Sequence, residues 1–213
     1  RSESVEKIRN GKGRFGPIID GYVIPADPYT VFKEGKQNDV PVIAGSTANE
    51  AGSRHVAATA ESAKRQAREM YGDNAGAYLK LFPATTDAEA EASAYAAAAD
   101  RTAASQRAWL RFQNETGKNK TYLYLFSRVP PFPPGAQFLE APTEKIGAYH
   151  SVDLIYAFDH LYLKNWPWQA ADRKVADDMS SYWINFAATG DPNGKGLPAW
   201  PAFTANDQQR MNF

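Results

Sequence analysis

Apolar and polar residues follow two rhythms along the chain. Val40-Pro41-Val42-Ile43-Ala44-Gly45 is a continuous, β-branched apolar run, preceded by the polar Gln37-Asn38-Asp39. A run without polar alternation suits a strand covered on both faces, as in a parallel sheet. Pro41 belongs near its start, because a central strand cannot spare an amide donor. Thr121-Tyr122-Leu123-Tyr124-Leu125-Phe126 follows the polar stretch Asn114 to Lys120 and predicts a second strand. From Ala57 to Phe112 the pattern turns helical, with helices over Ala60 to Tyr71, Asn74 to Phe82 and an alanine-rich stretch from Asp87 to Phe112. Thr86-Asp87-Ala88-Glu89 predicts a capping box at the start of the third helix. A last helix, from about Asp172 to Ala188, carries Val175, Met179, Trp183 and Phe186 on one stripe that reads as core packing, and Gly190 is placed to end it.

The segments between these elements are also readable. Gly16 to Pro25 holds two short apolar runs around Asp20-Gly21, the pattern of a small hairpin or a paired turn. Pro130, Pro131, Pro133, Pro134 and Pro142 impose a long irregular loop, and such loops are often functional. No repeat and no linker divides the 213 residues, which are ample for one hydrophobic core.

Charge and composition narrow the chemistry. Lysine plus arginine number 24 and aspartate plus glutamate also 24, so no net field gathers phosphates or holds the chain on an anionic membrane. Neither a nucleic-acid nor a membrane partner is expected. No apolar run approaches the roughly 20 residues that cross a bilayer. Arg1 to Ile8 is charged from its first turn and lacks the apolar middle of a secretory leader. With no cysteine there is no disulfide framework, thiolate zinc site or cysteine nucleophile. His55, His150 and His160 show no i, i+4 pair, so a histidine metal site is not expected.

Two residues stand where working groups are placed. Glu50 lies just past the first predicted strand, at the end where α/β enzymes hold their chemistry, although by position alone it also reads as a solvated loop acid. His150, in Gly147-Ala148-Tyr149-His150-Ser151-Val152-Asp153-Leu154, follows the second strand and its proline-rich loop, and by itself reads as a packed or surface histidine. Acid then histidine, each after a strand, is the second half of a Ser…Asp/Glu…His order. In that arrangement the carboxylate keeps one imidazole nitrogen protonated, and the other takes the nucleophile's proton. Phe132, Phe138, Trp166 and Trp168 are candidates to line an apolar ester pocket, with core packing the commoner role for each tryptophan. Asn114-Glu115-Thr116 and Asn119-Lys120-Thr121 match the glycosylation pattern, which also arises by chance.

Four segments in order carry a family resemblance. They are Asp20 to Pro25, Asp39 to Gly52, Gly147 to Leu154, and Tyr182-Trp183-Ile184-Asn185-Phe186-Ala187-Ala188-Thr189-Gly190-Asp191-Pro192-Asn193, with Leu197-Pro198-Ala199-Trp200-Pro201 extending the match. The chain resembles the carboxyl-terminal half of type-B carboxylesterases, the cholinesterase-like family. The resemblance implies an α/β fold in which residues 1–213 form the C-terminal part of a single α/β-hydrolase domain, helix-rich and holding the last strands of the central sheet. It also implies Glu50 as the triad acid, His150 as the general base and a structural role for Asp153 at the next short helix. This sequence departs from the family in Asn49, where an aspartate is usual, and in Ala51, inserted before Gly52.

None of the chain's serines stands in a Gly-x-Ser-x-Gly elbow, and no Gly-Gly run exists for an oxyanion segment. The resemblance therefore implies a serine ester hydrolase without cofactor whose nucleophile lies in a separate or removed N-terminal part, its principal partner, with a small-molecule ester as substrate. A non-catalytic adhesion or scaffold protein is the alternative. The family resemblance favours a secreted or periplasmic bacterial protein, and the absence of cysteine argues against a eukaryotic secreted one.

Overall fold

The computed structural model describes residues 3–11, 16–50, 59–138 and 146–213. His55, Ala51, Gly52 and Pro142 lie outside them. Three parallel strands form one sheet in the order β1 (Val42–Thr47), β2 (Thr121–Phe126), β3 (Met211–Asn212). Val42 pairs with Thr121 and Thr47 with Phe126. Pro41 sits just before β1, as its missing amide requires.

The crossover from β1 to β2 is helical. After α1 (Val5–Arg9) and α2 (Pro28–Lys33), which precede β1, come α3 (Ala60–Tyr71), α4 (Ala75–Leu81) and the 30-residue α5 (Asp87–Thr116). Thr59 and Ser62 cap α3 reciprocally. At α5 the predicted box forms only by half. Thr86 Oγ1 accepts the Glu89 amide, but the Glu89 carboxylate turns back one residue further, to the amide and hydroxyl of Thr85. The far end of α5 is pinned to the sheet. Gln113 donates to the Val40 carbonyl, and Asp39 accepts the amides of Lys118 and Asn119 in the turn that starts β2.

The sheet is covered on both faces. On one, Leu110 of α5 packs with Val42, Ala44, Leu123 and Phe203. On the other lie α6 (Asp153–Ala157) and α7 (Ala170–Thr189). There Phe126, Tyr156, Ala176 and Met179 form one buried group, and Tyr122, Tyr182 and Trp200 another. The α7 stripe is core as predicted, and Gly190 ends the helix in the left-handed conformation at φ 77°. Gly16 to Pro25 forms no hairpin, because Asp20 Oδ1 collects the amides of Tyr22, Val23 and Ile24 and closes the chain into a turn.

Among the described residues β1 has one strand neighbour, β2. The Val42 amide donates to the Lys120 carbonyl just before β2, and the Ala48 amide to the Phe126 carbonyl at its end. By the two-residue period, Ile43, Gly45 and Thr47 therefore aim theirs at the opposite edge. No helix is long and apolar enough to cross a membrane among the described residues.

Candidate active site

The C-terminal ends of β1 and β2 bring Glu50 and His150 together. Beyond β1 the chain stays beside its neighbour: Ala48 donates to the Phe126 carbonyl, and Asn49 forms a parallel bridge with Tyr149. Glu50 then folds back. Its Oε1 accepts the Thr47 amide at 2.8 Å, an amide on the open edge of the sheet, and its Oε2 lies 2.5 Å from His150 Nδ1. One carboxylate oxygen is thus spent on holding the side chain and the other on holding the imidazole. Glu50 is 16% exposed and His150 66%, so the acid is sheltered while the ring faces outward. The contact assigns the ring proton to Nδ1 and leaves Nε2 as a free acceptor.

His150 rides on a tight turn. Gly147 at φ 56° and Ser151 at φ 70° flank it, and a non-glycine residue in the left-handed region marks a conformation that its surroundings impose. Asp153 opens α6 without capping it. Its carboxylate instead accepts the Tyr124 hydroxyl at 2.8 Å, anchoring the helix to β2. Burial raises the Asp153 pKa, the Tyr124 hydrogen bond opposes this, and the charge of Glu50 adds to the rise. Burial also raises Tyr124, reinforced by the charge of Asp153. The Tyr124 ring lies over Gly45, where a Cβ would stand 2.5 Å from its Cγ.

His160 lies between the rings of Phe158 and Tyr162, and among the described residues no carboxylate pairs with it. Phe132 and Phe138 pack against Tyr149, the residue before His150, and Trp166 packs on Phe132, with ring centroids 5.2 to 6.3 Å apart. Trp168 belongs to the core, packed on Tyr156 with its indole N–H donated to the carbonyls of Leu161 and Lys164. Sequence reasoning missed three contributors: Asn49, Tyr124 and the Thr47 amide. Gly45 and Gly147 were the available signals, since each leaves room for one of these side chains. Among the described residues no three His, Asp or Glu side chains converge as a metal site.

Comparison with known proteins identifies the family. The model of the Carboxylesterase family matches residues 2–213. Fumonisin B1 esterase of Sphingopyxis macrogoltabida is 26% identical over 199 residues, covering 88% of this chain and 35% of that protein. Bile salt-activated lipase of Rattus norvegicus is 27% identical over 230 residues, covering 93% and 35%. The same lipase of Bos taurus is 36% identical over 99 residues, covering 44% and 15%. The chain spans about a third of the length of the first and second of these relatives. Because the family model matches nearly the whole length, the chain belongs to the carboxylesterase family.

Proposed function

We propose that this chain supplies the acid and the general base of a serine carboxylic-ester hydrolase, and that the nucleophilic serine and oxyanion donors come from a part of the enzyme N-terminal to it. The observation that carries the proposal is the contact between Glu50 Oε2 and His150 Nδ1 beyond two adjacent parallel strands. His150 Nε2 takes the serine hydroxyl proton as the serine oxygen bonds to the ester carbonyl carbon. It returns that proton to the departing alcohol as the C–O bond breaks. Water then attacks the acyl-serine by the same route, releasing the acid and restoring the hydroxyl. Glu50 stays ionised throughout, fixing the tautomer and stabilising the imidazolium. The chemistry asks for no cofactor.

The open edge of β1 is the place for the next strand of the partner segment, and the Phe132, Phe138 and Trp166 cluster is an apolar wall for an ester's acyl or alcohol group. The names of the relatives, an esterase and a lipase, support a carboxylic ester as substrate class. The test is a serine-directed fluorophosphonate on the whole protein. One serine outside residues 1–213 is labelled, and His150→Ala abolishes both labelling and ester turnover. Labelling inside these residues, or turnover untouched by His150→Ala, overturns the proposal. A non-catalytic scaffold would show neither label nor turnover.

A further inference from the structure

Glu50 and His150 belong to segments 100 positions apart, and something other than their own contact has to keep the two chain exits in register. We infer that Asn49 is a positioning residue that sets the Glu50–His150 contact by sewing the exit of β1 to the turn that carries the histidine. Its amide donates to the Ala148 carbonyl at 3.0 Å and its side-chain Oδ1 accepts the Ala148 amide at 2.9 Å, so both backbone polar groups of Ala148 are taken by Asn49. Ala148 is buried, and removing the Asn49 side chain takes away the acceptor of its amide. Gly147, at φ 56°, gives the amide its room, since a Cβ there would collide with it. The clasp thus ties the residue before Glu50 to the second residue before His150.

The neutral amide also matters for charge. Asp153 of α6 and Tyr124 of β2 face Glu50, Tyr149 adjoins the histidine, and Glu91 of α5 borders the open pocket of about 410 Å³ that Asn49 helps to line. A carboxylate at position 49 keeps the acceptor for Ala148 but adds a negative charge to this group, which favours the imidazolium. An alanine removes the acceptor and adds no charge.

The inference rests on the ester-hydrolase reading, so the experiment starts with the unmutated whole protein and p-nitrophenyl butyrate. No turnover there removes the hydrolase reading itself, before any variant is made. With turnover, Asn49→Ala is expected to lower kcat by about tenfold or more with KM within about threefold, because transition-state alignment is lost rather than binding. Asn49→Asp is expected to retain the plateau rate within about threefold, while the acid limb of kcat/KM moves to higher pH by about half a unit or more. A folded Asn49→Ala with unchanged kcat overturns the inference. So does an equal loss in both variants with the acid limb unmoved, the mark of a merely structural residue. If Asn49→Ala does not fold, Asn49→Asp decides alone by whether its limb moves.

Discussion

Gly45→Ala tests how tightly the sheet is fitted to the site. The added Cβ would stand 2.5 Å from Cγ of Tyr124 and closer to Cδ1 and Cε1. Carbon atoms pack comfortably at about 3.5 to 4.0 Å, so the ring must move by about 1 Å. It has little freedom to do so, being flanked by Trp183, Trp200 and Phe213 and held at its hydroxyl by Asp153. Overpacking of this kind costs about 1–3 kcal/mol. Loss of the hydroxyl–carboxyl hydrogen bond as the ring swings adds about 1–3 kcal/mol. The sum, about 2–6 kcal/mol, is a large part of the ~5–15 kcal/mol that holds a domain folded. At roughly 2–4 °C per kcal/mol, the scale for about 150–250 residues, Tm should fall by about 4–24 °C in a calorimetric scan. Tyr124→Phe should then cost less in the Gly45→Ala background than alone, since the hydrogen bond it removes is already broken. A Tm within about 2 °C of the unmutated protein, or strict additivity of the two changes, would refute the reasoning.

Glu50→Gln should lower kcat by roughly 10³- to 10⁴-fold in ester hydrolysis, the loss typical when the acid of such a triad becomes neutral; turnover within tenfold would deny Glu50 its role. Arg128→Ala leaves the fully buried Asp172 without its cation at 2.7 Å. The retained bonds from the Gln169 amide and the Tyr156 hydroxyl place the cost near the low end of the usual range, about 3 kcal/mol, readable from the denaturant midpoint. Burial pushes the Asp191 carboxyl up, but hydrogen bonds from Asn193, Lys120 and Tyr122 outweigh it and hold the group at about 2. Because that lies below the ordinary value of 3.8, the stabilisation is present above about pH 4 and is lost as pH falls toward 2. Asp191→Asn should flatten that part of an acid titration followed by circular dichroism. Residues 1–213 expressed alone should associate or aggregate in sedimentation, because among the described residues the outer edge of β1 has no strand partner; a monomer with a sharp cooperative transition would argue for an autonomous unit.

Long periodic segments were legible because their own spacing dictates them. Helix α3 begins and ends where the pattern places it, and β2 spans the predicted six residues. β1 is shifted, running to Thr47 rather than Gly45, because pairing with Phe126 carries Ser46 and Thr47 into the sheet against their polar character. β3 was not legible at all. Its two residues owe their conformation to Tyr124 and Leu125 across the sheet, not to any local signal. For the candidate site, Glu50 and His150 were singled out from strand-end position and motif, and the structure places them in contact. Asn49 was visible only as a departure from the family's pattern, since its partner, Ala148, lies 99 positions away and has an unremarkable side chain. Trp168 was ambiguous by residue type, and the two carbonyls on its indole N–H made it structural.

The 100-residue separation of Glu50 and His150 bears on how the protein matures. Helices α3 to α5 occupy most of the chain between β1 and β2, and helical turns of this kind can form within microseconds. The parallel pairing of β1 with β2 must instead close the whole intervening loop, the kind of non-local step that slows folding. During that delay a molecule would already have most of its helix content while the acid and the imidazole remained unacquainted. A preparation can therefore look native by far-ultraviolet circular dichroism and yet contain few competent molecules, and active-site titration, rather than helicity, is the measure of its quality.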